Sequence, residues 1–217
     1  MKVLELFAGS RSIGRAAESL SMDVFSSDIN AFDGIDYVVD ILDFDVEKVP
    51  FVPDIIWASP PCTTYSIAAI SHHRDGQKPL TLFAEKSDHM IAKVHDIIDH
   101  FTAINADLKY FIENPRGMLR KMDFMKRHDR RCIMYCQYGD TRMKPTDIWT
   151  NHAHSLFNPN GWIPRKQCYN GNVHCHHEDA PRGSSTGTQG IKGNYNRSKI
   201  PTALCLEILQ STIRINA

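Results

Sequence analysis

No apolar stretch of this sequence reaches the roughly 18 residues that a membrane-spanning helix needs. Net charge is also missing, since Lys+Arg and Asp+Glu each number 25. There is no internal repeat, no low-complexity tract and no C-x-x-C pair. Hydrophobic residues make up 42% and charged residues 23%, as in ordinary globular proteins. These features exclude a collagen, a disordered chain and a transmembrane protein. The opening Met1-Lys2-Val3-Leu4-Glu5-Leu6-Phe7 is too short and too acidic to read as a signal peptide. The six cysteines (Cys62, Cys132, Cys136, Cys168, Cys175 and Cys205) are scattered, with no export signal beside them. A disulfide framework is therefore not expected, and reduced thiols in a cytoplasm are. The 217 residues leave room for one domain with a sizeable core and at most a small appendage.

Neutrality conceals an asymmetry. Met1 to Trp57 holds four basic and eleven acidic residues. Arg116 to Arg131 is the densest basic stretch, with Arg116, Arg120, Lys121, Lys126, Arg127, Arg130 and Arg131 against Asp123 and Asp129. Pro181 to Cys205 has no acidic residue but carries Arg182, Lys192, Arg197 and Lys199. Solvated faces and a polyanion contact are the two readings.

The first half alternates strand and helix signals. Val3 to Phe7, Val24 to Ser27, Tyr37 to Val39, Asp54 to Trp57 and Tyr110 to Ile112 read as strands, with Cys132 to Cys136 and Asp147 to Thr150 as a sixth and seventh. Ser12 to Leu20 reads as a helix. So does Thr81 to Ile104, whose apolar residues recur with helical spacing. The pattern predicts an α/β fold: a doubly wound, mostly parallel, seven-stranded sheet with helices on both faces. From 151 to 196 the periodicity disappears into a Gly-, Asn-, Pro-, Ser- and His-rich segment, too long for an idle loop. A helix over Pro201 to Arg214 follows.

A doubly wound sheet binds ligands beyond the carboxyl ends of its strands. Gly9, Asp28, Asp40, Cys62 and Glu113 all fall there. The turn Phe7-Ala8-Gly9-Ser10 opens a helix, so its N–H groups can hold an anionic group, although the full G-x-G-x-x-G pattern is lacking. Asp28 stands where an acid that bonds ribose hydroxyls would lie; taken alone, it and Asp40 read as surface turn acids. In Asp54-Ile-Ile-Trp-Ala-Ser-Pro-Pro-Cys a strand runs into two prolines that stiffen its exit and fix Cys62 in space, a candidate nucleophile. Glu113, in Glu113-Asn114-Pro115-Arg116-Gly117, would serve as a general acid if partial burial raised its pKa.

The set Glu5-Leu6-Phe7-Ala8-Gly9, Ser59-Pro60-Pro61-Cys62, Glu113-Asn114-Pro115 and Gln137-Tyr138-Gly139 resembles the DNA cytosine-5 methyltransferase family, in particular its short phage and prophage members. The resemblance runs from Val3 to about Trp149 in the family's motif order and resumes at Ser198-Lys199-Ile200-Pro201. It implies a Rossmann-like, class I S-adenosylmethionine-dependent methyltransferase, with a catalytic domain over 1–150, a small irregular target-recognition segment over 151–196, and 197–217 returning to the catalytic domain. S-adenosylmethionine would lie against Phe7, Ala8, Gly9, Ser10, Asp28, Ile29, Asp40, Ile41, Ser59 and Pro60. Cys62 would attack carbon 6 of a flipped-out cytosine in duplex DNA, Glu113 would hold the ring's amino group and nitrogen 3, and Lys144 would assist. Arg74, Arg116, Arg142, Arg182 and Lys199 would contact DNA. No membrane and no obligate protein partner are implied.

The sequence departs from the family in several places. Arg11 and Ser12 replace a glycine pair, and Pro115 replaces the usual valine. Thr146 stands where a second arginine is usual, and the target-recognition segment is very short. That segment holds His152, His154, Cys168, His174, Cys175, His176 and His177. Two readings stand for these, zinc ligands or polar histidines facing DNA. Because their spacing matches no known finger, no metal site is assigned. The alternative functions are an amino methyltransferase acting on cytosine N4 or adenine N6, a tRNA cytosine-5 methyltransferase, and a catalytically silent relative. A zinc deaminase is excluded by spacing, since no P-C-x-x-C is present.

Overall fold

The computed structural model of the chain describes residues 1–169, 171–178, 191 and 193–213. In chain order the elements are β1 (Lys2–Leu6), α1 (Ser12–Ser19), β2 (Asp23–Asp28), β3 (Tyr37–Val38), β4 (Ile55–Ala58), α2 (Ile70–His73), β5 (Arg74–Asp75), β6 (Lys78–Pro79), α3 (Leu82–Ile104), β7 (Lys109–Pro115), β8 (Asp129–Met134), β9 (Pro145–Thr150), α4 (Asn194–Ser198) and α5 (Thr202–Thr212). Seven strands form one sheet in the order β3-β2-β1-β4-β7-β9-β8, while β5 and β6 make a separate small hairpin. The first five strands of the sheet run parallel, and β9 lies antiparallel to both β7 and β8. β8 and β9 are joined by the ten residues 135–144, which include one 3-10 turn over Tyr135–Tyr138 and are too few for the crossover that a parallel pairing needs. All seven expected strands are present. The fifth is longer than its apolar run, so Glu113 and Asn114 lie within β7 rather than beyond it.

The period-two alternation of buried strands sorts the core into two faces. Leu4, Leu6, Ile56, Ala58, Ile112 and Trp149 point to the α3 side, where Ile91, Val94, Ile98 and Phe101 meet them. Val3, Ile55, Trp57, Phe111 and Ile148 point to the other side, against Ile13 and Ala17 of α1 and Leu204, Ile208 and Leu209 of α5. Both faces are covered, so these strands read as nearly unbroken apolar runs. Thr81 starts the long α3 by accepting a hydrogen bond from the Ala84 N–H.

Strand order reverses on either side of the β1–β4 pair, which makes the crevice between their carboxyl ends the switch point at which such sheets bind ligands. Leu6 pairs with Ala58, and Ala58 with Ile112. The exits of β1 and β4 and the Glu113 position of β7 therefore stand at one level.

Candidate active site

Beyond Leu6 the backbone makes a tight turn in which Phe7, Gly9 and Arg11 adopt φ of 56°, 47° and 52°. For the two residues with side chains this left-handed conformation costs about 1–2 kcal/mol each. The turn is held from beneath by Glu5. One of its oxygens accepts from the Ile13 N–H at 3.1 Å and the other from Ser26 Oγ at 3.0 Å. Gly14 makes room for it, since a Cβ there would stand 2.7 Å from Glu5 Oε2. Burial pushes the Glu5 pKa up to about 7 against the opposing pull of these hydrogen bonds. Arg11, which in the sequence is only a missing glycine, closes the turn: Nε donates to Ser26 Oγ at 3.1 Å and Nη2 pairs with Glu18 at 2.5 Å.

The end of β2 is tied to this turn, and the end of β3 to α3. Asp28 accepts from the Gly9 N–H at 2.9 Å and, on its other oxygen, from the Asn30 N–H at 2.8 Å. Asp40 accepts from the Leu42 N–H at 3.2 Å and pairs with Lys86 Nζ at 2.7 Å, which holds its carboxyl below the usual carboxylate range. The C-terminal segment returns over the same turn. The Ile200 N–H donates to Ser12 Oγ at 3.1 Å, the Tyr195 ring packs 5.3 Å from that of Phe32, and a Cβ on Gly9 would stand 3.7 Å from Ser198 Oγ.

The loop that carries Cys62 is anchored to the strands on both sides. The Ser59 N–H donates to the Leu6 carbonyl at 3.3 Å, and Asn114 Nδ2 donates to the Pro60 carbonyl at 2.8 Å. Trp57 Nε1 donates to Ser59 Oγ at 2.8 Å. Past β7, a Cβ on Gly117 would come within 2.3 Å of the Tyr65 carbonyl oxygen, so glycine alone allows the two loops to pass this closely. Glu113 is 5% exposed and accepts from Tyr135 Oη at 2.9 Å, and the Lys144 ammonium sits 4.5 Å over the Tyr135 ring. Burial pushes the Cys62 thiol pKa up, the Lys144 charge pulls it back, Glu113 adds to the rise and Arg197 lowers it. Cys62, Glu113, Lys144 and Arg197 thus lie within electrostatic reach of one another. Burial and the Glu113 charge also keep the proton on Tyr135, which makes its O–H a fixed donor to the carboxylate. Tyr135, Lys86, Glu5 and Arg197 were not assigned from the sequence. The hints in the sequence were the motif that begins at Glu5 and the acid-free stretch around Arg197.

Two expected DNA contacts are corrected. Arg74 is fully enclosed, and its guanidinium donates to the Thr64 and Ala84 carbonyls at 3.1 Å each and to Asp88 at 2.6 and 3.1 Å, over the Tyr65 ring. It pins the loop after Cys62 and has no face for a phosphate. Arg142 is also buried, forked onto Asp140 at 2.5 Å and reaching the Arg197 and Lys199 carbonyls. Much of the basic stretch is likewise paired: Arg120 and Arg130 with the buried Asp147, Arg127 with Asp99, and Lys126 with Asp123. Arg116, Lys121 and Lys199 remain exposed. Arg182, with the stretch 182–190, lies outside the described residues. Spacing within the segment leaves the metal site unassigned because it does not include Cys136; the structure places Cys136, from the turn after β8, beside Cys168, Cys175 and His177.

No family model matches the chain. It is similar to a probable DNA (cytosine-5)-methyltransferase of Frog virus 3 (isolate Goorha), at 27% identity over 96% of this chain and 99% of the relative. Its fold matches that of a methyltransferase from Entamoeba histolytica, with a TM-score of 0.52 at 17% identity, over 69% of this chain and 52% of that one. The chain therefore has the Rossmann-like methyltransferase fold, and it spans about half the length of that solved structure.

Proposed function

We propose, from the premise that this chain is related to the DNA (cytosine-5)-methyltransferases, that it transfers a methyl group from S-adenosylmethionine to carbon 5 of cytosine in a short sequence context of duplex DNA, in the cytoplasm of a bacterium or of a phage-infected host. The observation that carries this reading is the meeting of Cys62, Glu113 and Lys144 at the sheet's switch point. The residues at the first three strand ends fit the cofactor. Asp28 and Asp40 keep lone pairs for hydroxyl and amino donors, and Ile29 exposes 59% of its surface as an apolar rim. The return of 195–200 covers the turn formed by Phe7, Ala8, Gly9 and Ser10. Ser59 and Pro60 would stand beside the cofactor from the exit of β4, and Ile41, packed into the core on the α3 side, would back it. When bound, S-adenosylmethionine supplies an electrophilic methyl group on a sulfonium.

Carbon 5 of cytosine is too weak a nucleophile to take that group unaided, so the chain must first raise its electron density. The base has to leave the stack to be reached, at a cost of a few kcal/mol. The Cys62 thiolate forms a bond to carbon 6, and the ring electrons move toward carbon 5. Glu113, aimed by Tyr135 and the β9 pairing, acts from its protonated form: it gives its proton to nitrogen 3, which neutralises the charge that builds there, and accepts a hydrogen bond from the amino group. Carbon 5 takes the methyl group and then loses its proton to water; the nitrogen-3 proton returns to Glu113, the carbon–sulfur bond breaks with its electron pair going back to Cys62 as thiolate, and 5-methylcytosine is released. A buried thiol is hard to ionise, so Lys144 and Arg197 act by favouring the thiolate.

A covalent trap tests this reading. Duplex DNA carrying 5-fluorocytosine, incubated with the chain and S-adenosylmethionine, is expected to give a stable protein–DNA adduct that Cys62→Ser abolishes, because fluorine cannot leave as the carbon-5 proton does. If the wild-type chain forms no adduct, the cytosine-5 reading is lost, and methyl incorporation into an amino group instead would point to N4 or N6 chemistry. A parallel arm with tRNA separates DNA from RNA as substrate.

A further inference from the structure

The segment after β9 carries a second constellation that the proposed chemistry does not use. The Sγ atoms of Cys136, Cys168 and Cys175 and a ring nitrogen of His177 all lie within 4.8 Å of one another. Cys168 Sγ and His177 Nδ1 are 3.5 Å apart. A tetrahedral zinc with sulfur at about 2.3 Å and nitrogen at about 2.0 Å has sulfur–nitrogen edges of roughly 3.5 Å and sulfur–sulfur edges of roughly 3.8 Å. The observed spacing needs only a small contraction to reach that shape.

Amide donors face the sulfurs. Asn172 Nδ2 points to Cys168 Sγ at 3.3 Å, and Gln137 Nε2 points to Cys175 Sγ at 3.6 Å and to Cys136 Sγ at 3.8 Å. Such donors orient and stabilise thiolates held by a metal. The four residues come from two distant places, Cys136 in the turn between β8 and β9 and the other three within ten residues of the segment. The segment is brought alongside that turn by backbone contacts: the Arg165 N–H donates to Tyr138 Oη at 3.0 Å and the Glu178 N–H to the Thr141 carbonyl at 2.8 Å. A cavity of about 220 Å³ lined by Gly171, Asn172, Val173, Cys175 and His177 gives an ion its way in.

We propose that Cys136, Cys168, Cys175 and His177 bind one structural Zn²⁺ that clamps the segment onto the turn between β8 and β9. Three thiolates and an imidazole suit zinc among the divalent metals, and with all four positions supplied by the chain the site is closed and structural rather than catalytic. The physical need is plain. Leu156, Phe157, Ile163, Tyr169 and Val173 are exposed, so the segment buries little apolar surface of its own, and a metal replaces the missing core. The proposal stands apart from the methyl-transfer reading.

Metal analysis of the full-length chain, purified under reducing conditions from zinc-supplemented culture, is expected to find about one zinc per chain. Cys168→Ser and Cys175→Ser should lose it, while Cys62→Ser and Cys132→Ser should keep it. Because the first two variants could misfold, the wild-type chain is also stripped with a chelator and refilled with Co²⁺, which should give the intense visible bands of tetrahedral thiolate coordination. His177→Cys should retain the metal with a shifted spectrum. Trace zinc with no such cobalt bands overturns the proposal. So does zinc that persists in both Cys168→Ser and Cys175→Ser, or a disulfide joining two of the three cysteines in the freshly isolated chain.

Discussion

The seven-stranded body and the segment that follows it are built on opposite principles. In the body the central strands β1, β4, β7 and β9 are largely enclosed, and buried charges are matched, as Arg74 is with Asp88 and Asp147 is with Arg120 and Arg130. Among the described residues of the segment, Leu156, Phe157, Ile163, Tyr169 and Val173 face solvent, while Trp162 packs under α5 and donates from its indole to Glu207 at 3.2 Å. The remaining order comes from polar links and a knot of sulfur and imidazole. Burial of apolar surface is cooperative and tolerates variation in individual residues, whereas a handful of directional contacts depends on each one. A chain can therefore keep its sheet rigid while carrying a short segment whose described residues bury little apolar surface.

The sharpest break of this comparison is a deletion in the body. Trp149 is 1% exposed in β9, between the strand that holds Glu113 and the edge strand β8. Trp149→Ala removes its contacts and leaves a cavity, so a loss of about 4 kcal/mol is expected. At roughly 2–4 °C per kcal/mol for a chain of this size, that lowers the melting midpoint by about 10 °C. A shift of only a degree or two in thermal unfolding would mean that the body is not one cooperative unit.

A smaller effect comes from protons. At the other end of the sheet His128 Nδ1 lies 2.8 Å from Tyr110 Oη, and its Nε2 faces His95 Nε2 at 3.0 Å, so one ring must donate and the other accept. Burial pushes both imidazoles down to about 4, with further lowering of His128 by His95 and of both by Arg127. The fold favours the neutral rings. Their contribution is therefore complete above the ordinary value of about 6.5 and is lost as pH falls from there through 4, where only the unfolded chain takes up protons. The stability gap between wild type and the double variant His95→Gln/His128→Gln should shrink as pH is lowered across that window in denaturant titrations. A gap that stays constant sinks the assignment.

The body was legible in the sequence because its information is local: apolar period, strand-end turns and the proline pair before Cys62 are all read over a few residues. That Cys62 and Glu113 share one edge of the sheet was expected from their places at the carboxyl ends of strands. What stayed hidden depended on long-range side-chain geometry. Arg74 looks like a surface cation in a loop until Asp88, fourteen residues on, turns out to enclose it. Tyr135 reads as one more strand residue, and its aim at Glu113 needs the β7–β9–β8 pairing. Cys136 lies more than thirty residues from its three partners, so no spacing rule within the segment could include it.

The finest discrimination lies at the tip of the segment. Ser155 and Asn158 exchange backbone hydrogen bonds at 3.1 Å, and the two residues between them, Leu156 and Phe157, are 97% and 100% exposed. Side chains that touch nothing contribute nothing to folding, so Leu156→Ser and Phe157→Ser, alone or together, should leave the unfolding free energy within about 0.5 kcal/mol of wild type. Against the loss expected at Trp149, the same class of change, apolar to small, would then differ nearly tenfold between the two regions. Solubility should improve as the apolar tip is removed. A fall of 1 kcal/mol or more in denaturant unfolding would show instead that this tip packs against the chain in solution, and that the segment has a core of its own.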